Sequence, residues 1–220
     1  AFVAVLVFGC KGKTEKTNTD VDSVPAYEKV EAPVAQEWTV LFDGTSFDGW
    51  HGYLMDKVPD AWKLEDGAMV VNPPTEKSDR GPHLNLITDK DYTDFVLSLE
   101  WRISEAGNSG IMWGIIEDKK YNEPYSTGPE IQVLDNQKHP DAKNGTTHQA
   151  GSLYDMIAPS KDVTKPVGEW NTCVITVNHK TNEGKVELNG VNIVNFPVEG
   201  SEWDAMVAKS KFADWDGFGK

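Results

Sequence analysis

The chain has 220 residues, a formal net charge of -14 and 8 tryptophans, with 39% hydrophobic and 25% charged residues. That composition is globular, and the length suits one domain with a sizeable core plus some extra chain. The 35 acidic against 21 basic residues would repel a phosphate backbone, so nucleic acid is excluded as a partner, and two cysteines, Cys10 and Cys173, make neither a disulfide framework nor a cysteine-rich zinc site.

Residues 1–9, AFVAVLVFG, form an uncharged apolar run that ends at Cys10. A membrane-spanning helix needs about 20 such residues, whereas the run has the length of a signal-peptide core. Val7-Phe8-Gly9-Cys10 resembles the bacterial lipobox, which implies a lipidated Cys10 behind a clipped signal over residues 1–10. A buried N-terminal strand is the alternative. Residues 11–35 are rich in Lys, Thr, Glu, Asp and Pro and read as a flexible tether. Membrane contact is then expected only through the anchor, at the cell envelope. Basic and small residues after Cys10, rather than a run of acids, favour the periplasmic side.

From residue 36 onward one domain is expected, and its apolar period is two. Phe95, Leu97, Leu99, Trp101 and Ile103 fall on one face of a strand, and Ser98, Glu100 and Arg102 on the other. Further strands are read over residues 109–117, 130–134, 170–178, 185–188 and 191–194. Asn189-Gly190 turns the last two into a hairpin, and a short helix is read over residues 203–210. Cys173 lies within a strand pattern and reads as a buried thiol. Short strands separated by Gly, Pro, Asn and Asp predict an all-β, antiparallel two-sheet β-sandwich.

Two polar groupings stand out on the strands. In Glu130-Ile131-Gln132-Val133-Leu134-Asp135, Glu130 and Gln132 share a face, and Asp135 joins them only if a bulge resets the alternation. The spacing is similar to the E-x-D-x-x-E strand of laminarinase-type glycosidases, with two substitutions; a solvated outer face is the alternative. The second grouping is Glu100, Arg102, Asn108 and Trp113. Trp113 reads either as a sugar-stacking platform or as core, since it shares the alternation of Ile111 and Ile115. His148, in a glycine-containing loop before Tyr154, is either a proton carrier or an exposed loop histidine. No zinc spacing is present among the five histidines. Asp135, Asn136, Asp141 and Asn144 could offer oxygens to Ca²⁺, but without the spacing of a calcium loop they read as a turn-rich connection. No cofactor is implied, and the sequence leaves oligomeric state open.

Several ordered segments resemble one family, the 3-keto-disaccharide hydrolase domain of bacterial secreted proteins. They are Leu41-Phe42-Asp43-Gly44-Thr45 through Gly49-Trp50, Glu100-Trp101-Arg102, Gly107-Asn108-Ser109-Gly110-Ile111, Gly128-Pro129-Glu130 through Asp135-Asn136, Ala150-Gly151-Ser152-Leu153-Tyr154-Asp155, Gly168-Glu169-Trp170-Asn171 and Leu188-Asn189-Gly190. The resemblance implies a concanavalin A-like jelly roll and cleavage of glycosides already oxidised at C3. It also implies closing strands beyond Lys220, so a longer gene product is expected. Under it, Glu130 is the preferred base or acid and His148 the alternative. Arg102 would stabilise charge at O3, while Gln132, Asn108 and Tyr154 would orient hydroxyls; Asp135, Glu100 and Trp113 are further candidates for substrate contact. An ordinary two-carboxylate glycosidase and a non-catalytic carbohydrate-binding module are the competing readings.

Overall fold

The structure is a computed structural model that describes residues 37–73 and 84–220. The signal-like run, Cys10 and the tether lie outside the described residues. Among the described residues ten strands follow in chain order: β1 (Trp50–Gly52), β2 (Trp62–Glu65), β3 (Ala68–Val71), β4 (Leu86–Thr88), β5 (Phe95–Trp101), β6 (Asn108–Met112), β7 (Glu130–Leu134), β8 (Asn171–Asn178), β9 (Glu183–Leu188) and β10 (Val191–Phe196). One short helix, α1 (Gly200–Val207), comes after them. Every strand pairing is antiparallel. The fold is an all-β sandwich, as the period-two pattern predicts.

One layer is the sheet β10-β9-β8-β5, and facing it is the β6–β7 hairpin. The alternation in β8 is complete, with Asn171, Cys173, Ile175 and Val177 buried and the residues between them half-buried. β5 adds Leu99 and Trp101, β9 adds Val186 and Leu188, and β10 adds Ile193, Val194 and Phe196. Against these pack Ile111, Ile131, Val133 and Leu153 from the opposite layer. Each fully buried side chain of this size contributes roughly 1.5–3 kcal/mol over an exposed one, so this shared core holds the two layers together. Burial pushes the free Cys173 thiol up to about 12, so it stays protonated and unreactive. The buried Asn171 is satisfied: its Oδ1 accepts from the Lys165 N–H and from Asn189 Nδ2, both at 2.8 Å.

The β9–β10 turn places Asn189 at φ 50° and Gly190 at φ 76°, the paired left-handed conformation that a two-residue hairpin requires. Several predicted boundaries move. β6 ends at Met112, because the chain turns at Gly114 (φ 62°) instead of running on to Glu117. The strands β1 to β4 carry too few residues each to show a period. The helix begins at Gly200, three residues before the predicted start, and burial of Trp203 anchors it.

Candidate active site

The site is built on β7, whose first residue, Glu130, pairs with Met112 of β6 while Gln132 pairs with Gly110. The Glu130 side chain lies diagonally across Gly110. A Cβ at position 110 would stand 1.7 Å from Glu130 Oε1 and 2.4 Å from its Cδ, so glycine there makes the room in which the carboxyl group rests. Among the described residues that carboxyl group makes no hydrogen bond and no ion pair. Burial pushes its pKa up to about 7; Lys211 pulls the other way and Asp141 adds to the rise.

Glu130 faces a cleft of about 290 Å³. The lining divides by chemistry. Asn108, Gln132, Tyr154 and Lys211 supply polar groups beside Glu130, and Tyr125, Phe212 and Trp215 supply aromatic rings. Gln132 is only 2% exposed, and its Oε1 accepts from the Val133 N–H, which leaves the amide nitrogen as a donor for the cleft. Lys211 Nζ sits 4.0 Å from the centre of the Tyr154 ring and, among the described residues, has no carboxylate partner. Glu130 is the one carboxyl group that lines this cleft among the described residues.

Behind the cleft runs a second layer of contacts. Tyr154 donates its hydroxyl to Asp141 Oδ2 at 2.9 Å, and Asp141 Oδ1 accepts from Asn144 Nδ2 at 2.7 Å and faces His148 Nδ1 at 3.0 Å. Burial opposes the charge on Asp141, but the hydrogen bonds from Asn144, Tyr154 and His148 outweigh it and hold its pKa below the usual value. The phenol of Tyr154 is pushed up by burial and by its bond to Asp141, so it remains a donor. His148 Nε2 meets Asp155 Oδ1 at 3.0 Å, and Asp155 Oδ2 accepts the Lys211 N–H at 2.7 Å. One chain of contacts thus ties the 141–155 loop to the segment after α1 that carries Lys211.

The predicted site residues divide accordingly. Glu130, Gln132, Asn108 and Tyr154 converge on the cleft. His148 stands one layer back, both ring nitrogens taken, edge-on to Tyr154 at 4.6 Å between ring centres. Arg102 lies elsewhere, exposed and 4.9 Å from the Trp170 ring centre, because its β5 face is the outer one. Glu100 shares that outer face and accepts from Thr172 Oγ1 at 3.3 Å. Asp135 turns away from the cleft to accept the N–H groups of Ala106, Gln137 and Lys138. Trp113 is packed against the main core and stacks on Phe196 at 5.6 Å, the core alternative of its two readings. Among the described residues, no group of three or more His, Cys, Asp or Glu is placed to hold a metal ion. Sequence reasoning missed Lys211, Phe212, Trp215 and Tyr125. An aromatic-rich Lys211-Phe212-Ala213-Asp214-Trp215 stretch after the helix was their available signal.

Residues 37–214 match the 3-keto-alpha-glucoside-1,2-lyase-like domain. The chain belongs to this family. Within the 3-keto-alpha-glucoside-1,2-lyase-like proteins, it is 38% identical over 199 residues to a 3-keto-disaccharide hydrolase of Bacteroides thetaiotaomicron, covering 84% of this chain and 68% of the relative. A solved structure from Parabacteroides distasonis, described as a putative glycosyl hydrolase, aligns with a TM-score of 0.72 at 27% identity, over 82% of this chain and 81% of that one. A second structure from the same organism, at 21% identity and a TM-score of 0.58, shares the fold.

Proposed function

We propose that this protein cleaves glycosides whose C3 carbon is already a ketone, and that Glu130 removes the C2 proton. The supporting observation is the Glu130 carboxyl group in the cleft, without a hydrogen-bond or ion-pair partner among the described residues, given room there by Gly110 and with its pKa pushed up to about 7. A general base works best when its pKa lies near the working pH. Family membership supplies the substrate class. The C3 ketone acidifies C2–H; Glu130 takes that proton, and the electron pair forms an enolate across C2 and C3. When the enolate collapses, the C3 carbonyl is restored, a double bond forms between C1 and C2, and the C1–O bond breaks. The leaving oxygen takes a proton. Water then adds at C1 and C2 is reprotonated, so the net change is hydrolysis.

Negative charge develops on O3 and needs a cation or donors held ready in a water-poor site. Lys211, with no carboxylate partner among the described residues, and the Gln132 amide fit that task, which moves the role expected of Arg102 to another part of the chain. Asp141, His148 and Asp155 act as positioning residues: they fix Tyr154 and the backbone of Lys211. An ordinary glycosidase requires two carboxyl groups flanking the bond. Among the described residues Glu130 is the one carboxyl group of the smaller cleft, an arrangement that suits proton abstraction. The apolar run ending at Cys10 supports an envelope location through a lipid anchor.

Glu130→Gln keeps the shape and removes the base. It is expected to lower turnover of a 3-keto-disaccharide by about 10²-fold or more, with an unchanged circular dichroism spectrum. A folded variant with full activity would overturn the assignment.

A further inference from the structure

The cleft beside Glu130 measures about 290 Å³, at the small end of ligand pockets, which run from about 300 to 1,000 Å³. It suits one sugar ring, and under the function proposed above that ring is the oxidised one, since its C2 must meet Glu130. Glu130, Asn108 and Tyr125 also line an adjoining hollow of about 1460 Å³, so a second ring has room on the Tyr125 side of the cleft. Tyr125 is 46% exposed, and its ring stands 6.1 Å from that of Trp215, tilted by 44°. Such a pair presents an apolar surface at the edge of a polar cleft.

The surface is rigid. Trp215 packs edge-on against Phe212 at 5.1 Å, and Phe212 stacks on Phe218 at 4.0 Å. Lys120 Nζ holds Asp216, next to Trp215, at 2.9 Å, and the Gly219 N–H donates to Thr127 O, two residues from Tyr125. The segment after α1 is thus fastened onto the 120–127 turn. Neither ring of the pair is spent on the main core, which forms from other residues. A rigid aromatic ring accepts the C–H face of a pyranose at little entropic cost, because two χ angles fix it.

We propose that Tyr125 and Trp215 form the platform on which the leaving sugar stacks, and that the preferred leaving group is consequently a pyranose rather than a small alcohol. This rests on the reading of Glu130 as the base acting on a 3-keto ring. The platform adds the neighbouring ring and makes the enzyme selective for disaccharides over simple 3-keto-glycosides.

The test compares a 3-keto-disaccharide with methyl 3-keto-glucoside in wild type, Tyr125→Ala, Trp215→Ala and Trp215→Phe. Losing one stacking face is expected to reduce kcat/KM for the disaccharide about three- to tenfold further than for the methyl glycoside. Trp215→Phe, which keeps a ring, is expected to restore most of that difference. Equal losses on both substrates would overturn the platform, as would no loss on either. Saturation-transfer NMR with free glucose provides a readout independent of turnover. Glucose ring protons are expected to receive saturation from wild type and to lose it in Tyr125→Ala. If wild type turns over neither substrate yet shows this glucose signal, the base assignment fails and the platform stands. If the glucose signal survives both alanine variants, the platform fails.

Discussion

A carboxyl group buried without a partner costs the folded state, and Glu130 makes that cost measurable. Its pKa moves from the ordinary 4.5 to about 7 on folding, chiefly through burial. The folded protein then keeps a proton that the unfolded chain gives up between those two values, so stability falls as pH rises through that window. At about 1.4 kcal/mol per pH unit, the loss reaches about 3 kcal/mol above pH 7 and is absent well below pH 4.5. Glu130→Gln removes the titration while keeping the shape. The variant should match wild type in urea unfolding near pH 4 and be about 2–3 kcal/mol more stable at pH 8. Inactivity combined with added stability is the expected mark of a side chain kept for function. A variant equally offset from wild type at both pH values, or less stable at pH 8, would show that Glu130 does not titrate with a raised pKa in the folded protein.

Gly110→Ala places a Cβ 1.7 Å from Glu130 Oε1 and must swing the carboxyl group away, so kcat/KM should fall on the order of 10²-fold. Unchanged kinetics in a folded Gly110→Ala protein would show that the carboxyl position does not matter. Asp135→Ala removes the acceptor of three backbone N–H groups, and stability should fall by about 2–3 kcal/mol with KM unaltered, checked by urea unfolding and initial rates. A raised KM would return Asp135 to the cleft. His51 lies between Asp89 at 2.6 Å and Glu117 at 3.2 Å; burial lowers its pKa, but those two hydrogen bonds outweigh it and the net change is upward. Its stabilisation is therefore full below pH 6.5 and is lost as pH rises through the raised value. His51→Gln should accordingly cost on the order of 1 kcal/mol at pH 5.5 and progressively less toward pH 9; a constant difference across that range would contradict the linkage.

What could be read in advance was whatever one strand or one turn decides locally. β5 alternates over seven residues and β8 over eight, and Asn189-Gly190 carries its own turn geometry, so these elements are legible without a partner. β7 was legible with the same bounds, and with it the placing of Glu130 and Gln132 on one face. The faces of neighbouring strands are a different matter. Arg102 has the right charge, but β5 turns it toward Trp170, and nothing in its own alternation says which face meets the cleft. Asp135 falls on the Ile131–Val133 side of the β7 alternation, no bulge resets the β6–β7 register, and three amide donors from the adjoining loops hold it there. Lys211 and Trp215 reach the site only because the chain folds back after α1 and is fastened through Asp155, Thr127 and Lys120. Gly110 shows the same limit at shorter range: its role depends on a diagonal neighbour across the β6–β7 pair, which the sequence places twenty residues away.

Under the proposed function, Glu130 takes the C2 proton of a ring already oxidised at C3. Incubating the protein with a 3-keto-disaccharide in D₂O, alongside the same disaccharide unoxidised, tests it directly. The expected result is release of free sugar and deuterium at C2 from the keto substrate, an intact unoxidised disaccharide, and neither event with Glu130→Gln. Equal cleavage of the unoxidised disaccharide, or cleavage of the keto substrate with no deuterium at C2, would contradict it.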